Sequence, residues 1–280
     1  MVIVLTLVWG TSWVLFPIAL REISIWTFRA VSLLASGVLL LLAARAKGLS
    51  LFVPVEQRWP LTLAAWVYLV IWNICTTYSS LLIPSGQAAV LGFTMPIWAA
   101  LISWLLLGER PSTRLFVSIL LAGTGVACLA YAARGTYAKA PLGFLLGLSG
   151  GIAWAAGTLI LKRAGLTVPL IVSTGWQLII SGIPIAIAAL LMANGHPFAP
   201  SWSTVIVIAY LTVVPMALGG VVWFSIAGAL SPTLAGLSTV MVPMVAMVTG
   251  AWVHGEPLGP MQLTAMACCG ASLMLVLVKS

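Results

Sequence analysis

The chain has 280 residues, of which 62% are hydrophobic and 6% are charged. Soluble domains usually carry about 25% charged residues, so this composition excludes an ordinary soluble fold and indicates a chain embedded in a lipid bilayer. The net charge of +8 would suit a nucleic-acid partner in a soluble protein. Here the basic residues lie mostly in short segments between long apolar stretches, so no nucleic-acid binding is expected.

A membrane-crossing helix needs about 20 mostly apolar residues. Breaks at proline, glycine and charge clusters divide the chain into ten such segments, which predicts an all-α integral membrane protein with ten transmembrane helices. The predicted spans are 2–20, 25–44, 60–81, 86–107, 114–133, 141–161, 168–191, 203–225, 233–253 and 258–278. The first is interpreted as a retained helix rather than a signal peptide, because it lacks a basic start and a small-residue cleavage site. The connecting segments are too short for an ATPase domain.

The basic residues are unevenly shared between the two sides of the predicted bundle. If the N-terminus is cytoplasmic, eight of the 12 basic residues lie on the cytoplasmic side. An excess of Lys and Arg marks the cytoplasmic side of membrane proteins. Both termini are therefore predicted to be cytoplasmic. The eight residues are Arg45, Lys47, Arg58, Arg110, Arg114, Lys162, Arg163 and Lys279.

The second half of the sequence repeats features of the first at an offset of 147 residues. Pro96 matches Pro243, and Gly108-Glu109 matches Gly255-Glu256. An ordered set of matches indicates an internal duplication. Each half holds five predicted spans, an odd number, so the second copy is expected to be inverted in the membrane, as in many secondary transporters. The two predicted repeats are residues 1–135 and 138–280, within one membrane domain.

These motifs resemble a known family. The Trp-Gly-Thr-Ser run from Trp9 to Ser12 and the Gly-Glu pair after the fourth and ninth helices resemble the EamA-type branch of the drug/metabolite transporter superfamily. Within that branch the chain is similar to the YddG-type exporters of aromatic and other neutral amino acids. The second copy departs from the pattern, with Ala155-Ala156 where the first has Gly10-Thr11.

The resemblance implies a secondary transporter of the bacterial inner membrane that exports amino acids by alternating access. It also implies a cavity built from helices one, three, four, six, eight and nine, and a monomer or homodimer in the lipid bilayer. The alternative substrates are drugs or other small metabolites such as nucleobases. A requirement for a zwitterionic backbone would separate amino acids from these alternatives.

Two prolines fall inside the predicted fourth and ninth spans. A proline in a helix interior removes a backbone hydrogen bond and kinks the helix. Small residues precede both prolines, so the two helices are either paired gates or static packing kinks. The predicted hinge residues are Gly92, Pro96, Ser238 and Pro243.

Buried amides, hydroxyls and aromatic rings are the candidate contacts for a substrate. A polar stripe in the third helix and an amide in the seventh need hydrogen-bonding partners away from lipid, either a substrate or another helix. Deep tryptophans can stack on rings or hold amines, or simply pack in the core. The predicted contact residues are Trp13, Asn73, Thr77, Tyr78, Trp154, Trp176, Gln177 and Trp223. Arg29 is expected to reach water or a neighbouring helix, or else to capture a carboxylate at the outer mouth.

No catalytic residue, metal ligand set or cofactor motif is recognised. His196 and His254 lie in predicted outer loops without a cluster of ligands, which argues against a serine protease or a metalloenzyme. A selective ion channel usually shows a filter of carbonyl loops or rings of charged residues, and neither is visible in the sequence. Glu109 and Glu256 lie at span ends, either as loop residues or, for Glu256 with His254, as a proton relay. Since no acid lies mid-membrane, facilitative or weakly coupled flux is predicted.

Overall fold

The computed structural model describes residues 1–192, 200–255 and 258–277, and every secondary-structure element in this part of the chain is helical. Within these described residues, eight helices are long and apolar enough to cross a membrane. They are α1 (Val2–Ala19), α2 (Ile25–Ala46), α3 (Val55–Leu82), α4 (halves Ser85–Gly92 and Met95–Leu107), α5 (Thr113–Ala132), α6 (Pro141–Ala164), α7 (Leu170–Leu191) and α8 (Trp202–Ala229). Two more follow: α9 (Val242–His254), a shorter apolar helix, and α10 (Pro260–Leu277).

Most predicted spans coincide with a helix to within a few residues, but α3 and α8 are longer than predicted. Helix α3 begins at Val55 rather than at 60, because Pro54 precedes it in an extended conformation and the polar first turn, with Glu56, stays exposed. Helix α8 continues to Ala229 rather than 225. Short helices at Arg134–Lys139 and Pro232–Leu237 lie between the long ones. The count of ten transmembrane helices remains a prediction.

Small residues bring the long helices close together. Helix α2 packs along α7, and α5 along α10. A Cβ added at Gly125 of α5 would lie 2.7 Å from the Cys269 sulfur of α10, so only glycine permits this approach. The Ser272 hydroxyl also donates to the Ser118 carbonyl at 2.7 Å. Inside lipid, helices associate through the van der Waals packing that such close approach permits, rather than through the hydrophobic effect.

Helices α3 and α8 each contain a π-helical segment at the same repeat position. The segments are Ala65–Val70 and Thr212–Leu218, whose first residues are 147 apart. Widening of a helix frees main-chain carbonyls, which need partners in lipid. Ser181 of α7 donates to the Ala65 carbonyl at 3.1 Å, and Ser36 of α2 donates to the Thr212 carbonyl at 2.7 Å. Each π-helix is thus stabilised by a serine from the other half of the chain.

The two predicted proline kinks are helix interruptions instead. Pro96 is the second residue of the second half of α4, and Pro243 is the second residue of α9. A proline in the first turn of a helix removes no intrahelical hydrogen bond. The prediction that each proline kinks a continuous helix is therefore wrong. Both helices end on a glycine in the left-handed conformation, Gly108 and Gly255, with φ of 69° and 68°.

Candidate functional site

A cavity of about 80 Å³ lies in the centre of the helix bundle. It lies next to the two π-helices and the break in α4. Its lining comes from α1, α2, α3, α4, α6, α7 and α8. The family resemblance does not place α2 and α7 in the cavity, although two predicted contact residues, Trp176 and Gln177, belong to α7. It does place α9 there, and α9 contributes no residue to the lining in the described part of the chain. The lining side chains used below are Trp9, Trp13, Phe16, Phe28, Arg29, Trp72, Asn73, Phe93, Trp154, Thr174, Trp223 and Phe224.

Aromatic rings form most of the cavity wall. Trp72 and Trp154 meet edge to face with ring centroids 4.7 Å apart, and Trp154 lies 5.6 Å from Trp223. Trp9 stands 5.7 Å from both Trp154 and Trp223. Tilted and edge-to-face pairs at these distances are favourable and hold the rings in fixed orientations. The wall is therefore a preformed surface for an aromatic or apolar group.

Arg29 of α2 is the charged residue of the cavity lining. Its side chain is only 3% exposed, so the expectation that it snorkels to water is wrong. Its guanidinium carbon lies 4.5 Å from the Phe16 ring centroid and 4.8 Å from that of Phe28. Among the described residues it has no carboxylate partner. A buried charge without a counter-charge is costly, so a ligand with a negative group would relieve it.

Thr77 holds the arginine in place. The Arg29 Nε donates to Thr77 Oγ1 at 2.6 Å, and that hydroxyl in turn donates to the Asn73 carbonyl. Asn73 itself donates from its side-chain amide to the Leu69 carbonyl at 2.7 Å. These residues share one face of α3, as the helical spacing of the polar stripe predicts. Thr77 therefore orients the guanidinium, and Asn73 contributes an amide to the lining.

Three further polar atoms of the lining are buried and have no hydrogen-bonding partner among the described residues. They are the indole nitrogens of Trp154 and Trp223 and the hydroxyl of Thr174. Buried polar groups in native proteins are nearly always paired. Since these orphaned groups belong to residues that line a cavity, they are candidates for ligand contacts.

The bundle is open beside this cavity at one end and packed at the other. A side cavity of about 450 Å³ lies between the end of α6, the start of α7 and the end of α8, and Phe224 lines both cavities. At the matching end of the first half, the ends of α1 and α3 meet the start of α2. There the Phe16 and Phe28 rings lie 5.9 Å apart, and Trp26 donates to the Tyr78 hydroxyl at 3.1 Å.

A glutamate strengthens the packed end. Glu22, in the loop between α1 and α2, accepts hydrogen bonds from the Ser201 main-chain N–H at 2.7 Å and from its hydroxyl at 2.8 Å. These bonds to the start of α8, with a further one from Thr204, lower the pKa of the Glu22 carboxyl below its ordinary value of 4.5. The carboxylate therefore stays ionised and holds the loop against α8 at neutral pH.

Of the eight predicted contact residues, the lining includes Trp13, Asn73, Trp154 and Trp223, and Thr77 contacts it through Arg29. Three lie outside it. Tyr78 is at the end of α3 with Trp26, Trp176 donates to the Leu51 carbonyl at 2.9 Å, and Gln177 accepts from the Tyr68 hydroxyl at 2.5 Å. Each of the three side chains is directed to a protein partner rather than to the cavity.

The predicted hinge residues surround the breaks in the helices. A Cβ on Gly92 would lie 2.9 Å from the Trp72 ring, and a Cβ on Gly151 of α6 would lie 2.8 Å from the Gly92 carbonyl oxygen. Pro96 is buried two residues beyond Thr94. Ser238 donates to the Ala235 carbonyl at 2.6 Å, just before the break that precedes α9 and its Pro243. Their role as a hinge remains a prediction.

Several lining residues were absent from the predicted set, notably Arg29, Trp9, Trp72 and Thr174. A usable signal existed for Thr174, since it lies 145 residues after Arg29 and the same spacing separates Trp9 from Trp154. No three His, Cys, Asp or Glu side chains come together as a metal site within the described residues. The predicted alternative of a relay between His254 and Glu256 cannot be placed, because Glu256, like His196, lies outside the described residues.

A preformed, mostly apolar cavity of this kind within a bundle of membrane-spanning helices is typical of a small-molecule binding site. The sequence model of the EamA-like transporter family matches residues 1–131 and again residues 141–278. The chain belongs to the EamA-like transporter family. The predicted EamA resemblance, the multi-pass membrane class and the exclusion of an enzyme agree with this membership.

Similar proteins cover nearly the whole chain. The uncharacterized transporter YvbV of Bacillus subtilis is 25% identical over 277 residues, which are 99% of this chain and 90% of that protein. A probable amino-acid metabolite efflux pump of Salmonella typhimurium is 24% identical over 97% of this chain and 91% of its own length. A solved crystal structure, 18% identical, covers 98% of this chain and 96% of its own with a TM-score of 0.74, and so has the same fold.

Proposed function

We propose that this protein exports amino acids, aromatic and other neutral ones, across the bacterial inner membrane by facilitative alternating access. The observation that carries the proposal is that buried Arg29 and several tryptophan rings line the same cavity. A guanidinium binds a carboxylate with charge-assisted hydrogen bonds, while the rings accept an aromatic or apolar side chain. The name of the Salmonella relative, an amino-acid metabolite efflux pump, supports the same substrate class.

Alternating access requires two packings of similar energy, which inverted repeats provide. The proposed repeats are residues 1–135 and 138–280, each with five helices. The matched π-helices, the matched helix breaks and the reciprocal serine bonds support this duplication. The packing is also reciprocal: α1 contacts α9 and α6 contacts α4, while α2 contacts the π-helix of α8 and α7 contacts that of α3.

The conformation described above is open towards the end of α6 and packed at the end of α1. With both termini in the cytoplasm, the open end is the cytoplasmic one. A substrate would enter the side cavity from the cytoplasm and pass Phe224 to the central cavity. Export then requires the contacts among α1, α2 and α3 to separate while α6, α7 and α8 come together.

Facilitative flux is supported by the placement of the acids. Glu22 is in a loop, Glu56 is exposed in the first turn of α3, and Glu109 is exposed beside Arg163 at 4.0 Å. None of these three carboxylates is at the cavity, where a coupling proton would have to bind. The orientation of the termini, the inner-membrane location and a monomeric or homodimeric state belong to the same proposal.

The test is uptake of labelled tryptophan, phenylalanine and threonine by proteoliposomes that contain the purified protein, with and without a proton gradient. Protein-free liposomes give the background. Saturable uptake that needs no gradient and is competed by other amino acids is expected. Gradient-driven accumulation would contradict the facilitative mechanism. The absence of uptake of all three would contradict amino-acid transport and leave drugs or other metabolites as substrates.

A further inference from the structure

The polar groups of the central cavity are unusually rich in hydrogen-bond donors. A guanidinium offers five N–H donors and no acceptor, and an indole nitrogen is a donor only. Arg29 has one of its bonds, through Nε, to Thr77, and the indoles of Trp154 and Trp223 have no partner among the described residues. Thr174, whose hydroxyl can serve either way, is also unpartnered. The ligand that satisfies this lining must therefore be rich in acceptors.

The charge of the lining also favours a ligand that is rich in acceptors, and specifically one with a negative group. Arg29 supplies one positive charge, and the described lining contains no Asp or Glu. A bound monoanion makes the buried complex neutral. A bound zwitterion neutralises the arginine but brings an ammonium into the cavity, where its partners are ring faces and neutral oxygens such as the Asn73 amide oxygen rather than a carboxylate. An amine without a carboxylate would place two positive charges together in a buried cavity, which is strongly unfavourable.

We propose that this site recognises the carboxylate and not the α-ammonium, so that aromatic and apolar monocarboxylates, including 2-oxo acids, are ligands alongside amino acids. The inference rests on the proposed function, since it names the group of the substrate, the carboxylate, that the same cavity recognises. The carboxylate would meet Arg29, with Thr77 orienting the guanidinium. Acceptor atoms next to the carboxylate, such as a 2-oxo oxygen, would meet the indole N–H groups or the Thr174 hydroxyl.

Three ligands with the same phenyl ring test the contributions of the carboxylate and the ammonium separately. Phenylalanine carries both groups, 3-phenylpropanoate carries only the carboxylate, and phenethylamine carries only the ammonium. Calorimetric titration of the purified protein in detergent at pH 7.5 avoids leakage of the weak acid through lipid. Two positive charges about 10 Å apart at an effective dielectric constant of about 20 lower affinity by roughly tenfold or more. We expect 3-phenylpropanoate to bind at least as tightly as phenylalanine, and phenethylamine at least about tenfold more weakly.

Each outcome has a distinct meaning. If phenylalanine binds and 3-phenylpropanoate binds at least about tenfold more weakly, the site recognises the ammonium. The inference is then overturned, while the proposal of amino-acid transport stands. If 3-phenylpropanoate binds and phenylalanine does not, recognition of the carboxylate stands, while binding of amino acids alongside monocarboxylates and the proposed substrate class both fail. If neither binds to protein that is folded by circular dichroism, both are overturned.

A charge-removing variant tests the residue itself. Arg29→Gln should remove the preference for 3-phenylpropanoate over phenethylamine. Arg45→Gln, at an exposed arginine of the same helix, should keep it. An unchanged preference in Arg29→Gln would show that another group binds the carboxylate and would overturn the assignment of this role to Arg29.

Discussion

Replacement of Gly151 by alanine tests the contact between α6 and the break in α4. The added Cβ would lie 2.8 Å from the Gly92 carbonyl oxygen, 2.8 Å from Thr94 Oγ1 and 3.1 Å from the Leu91 carbonyl oxygen. Two of these three atoms belong to the main chain, so the space is created only if one helix moves. Overpacking of this kind costs about 1–3 kcal/mol. The better helix propensity of alanine returns at most about 1 kcal/mol.

Gly270→Ala in α10 is the matched control, because a Cβ there meets no atom within 4 Å. It should leave stability unchanged or raise it by up to about 1 kcal/mol. Thermal unfolding of the two variants in the same detergent should separate them by several degrees, at about 2–4 °C per kcal/mol. Gly151→Ala should also slow phenylalanine flux, because the displaced helices adjoin the proposed hinge. Equal melting temperatures together with wild-type flux would refute the close contact and its role.

Three further predictions concern stability and pH. Ser36→Ala and Ser181→Ala should each destabilise by about 1–3 kcal/mol in thermal unfolding, since each leaves a π-helix carbonyl unpaired; a cost in only one variant would contradict the reciprocal arrangement. The pKa of Glu22 is lowered on folding, so its contribution is full above 4.5 and is lost as the pH falls through the folded value. The stability difference between wild type and Glu22→Gln should therefore be present at pH 7 and shrink below pH 4.5, and a difference that is independent of pH would refute it. Trp9→Phe should lower the free energy of unfolding of the ligand-free protein by about 1–3 kcal/mol more than Trp154→Phe does. The reason is that the Trp9 indole donates to a main-chain carbonyl at 3.0 Å, whereas the Trp154 indole has no partner among the described residues. Similar melting temperatures of the two variants would contradict this.

Hydropathy and helical spacing predicted a large part of this architecture. Long apolar runs locate the helices, and the spacing of Asn73 and Thr77 places both on one face of α3, next to the cavity. In each case the signal is local in the sequence, so a single helix contains all the information required.

The part that could not be predicted depends on contacts between distant helices. Arg29 lies one turn inside α2, a position typical of snorkelling, and only Phe16 from α1 and Thr77 from α3 make it a cavity residue. Trp154 and Trp176 are both deep tryptophans in the sequence. Their indoles differ only in that Trp176 finds the Leu51 carbonyl and Trp154 finds no partner among the described residues. The π-helix in α3 also shifts the register of the residues that follow it, which simple helical periodicity does not foresee.

The measurement that tests the central claim most directly is phenylalanine flux through proteoliposomes that contain wild type, Arg29→Gln or Arg45→Gln, at equal protein incorporation. Loss of a charge-assisted bond to the carboxylate is worth about 1.5–3 kcal/mol, which corresponds to roughly a tenfold to hundredfold lower flux at low substrate concentration. We expect this loss in Arg29→Gln and wild-type flux in Arg45→Gln, whose side chain is exposed at the other end of α2. Wild-type flux in Arg29→Gln would contradict the account, because the central cavity would then not be the site that binds the transported carboxylate.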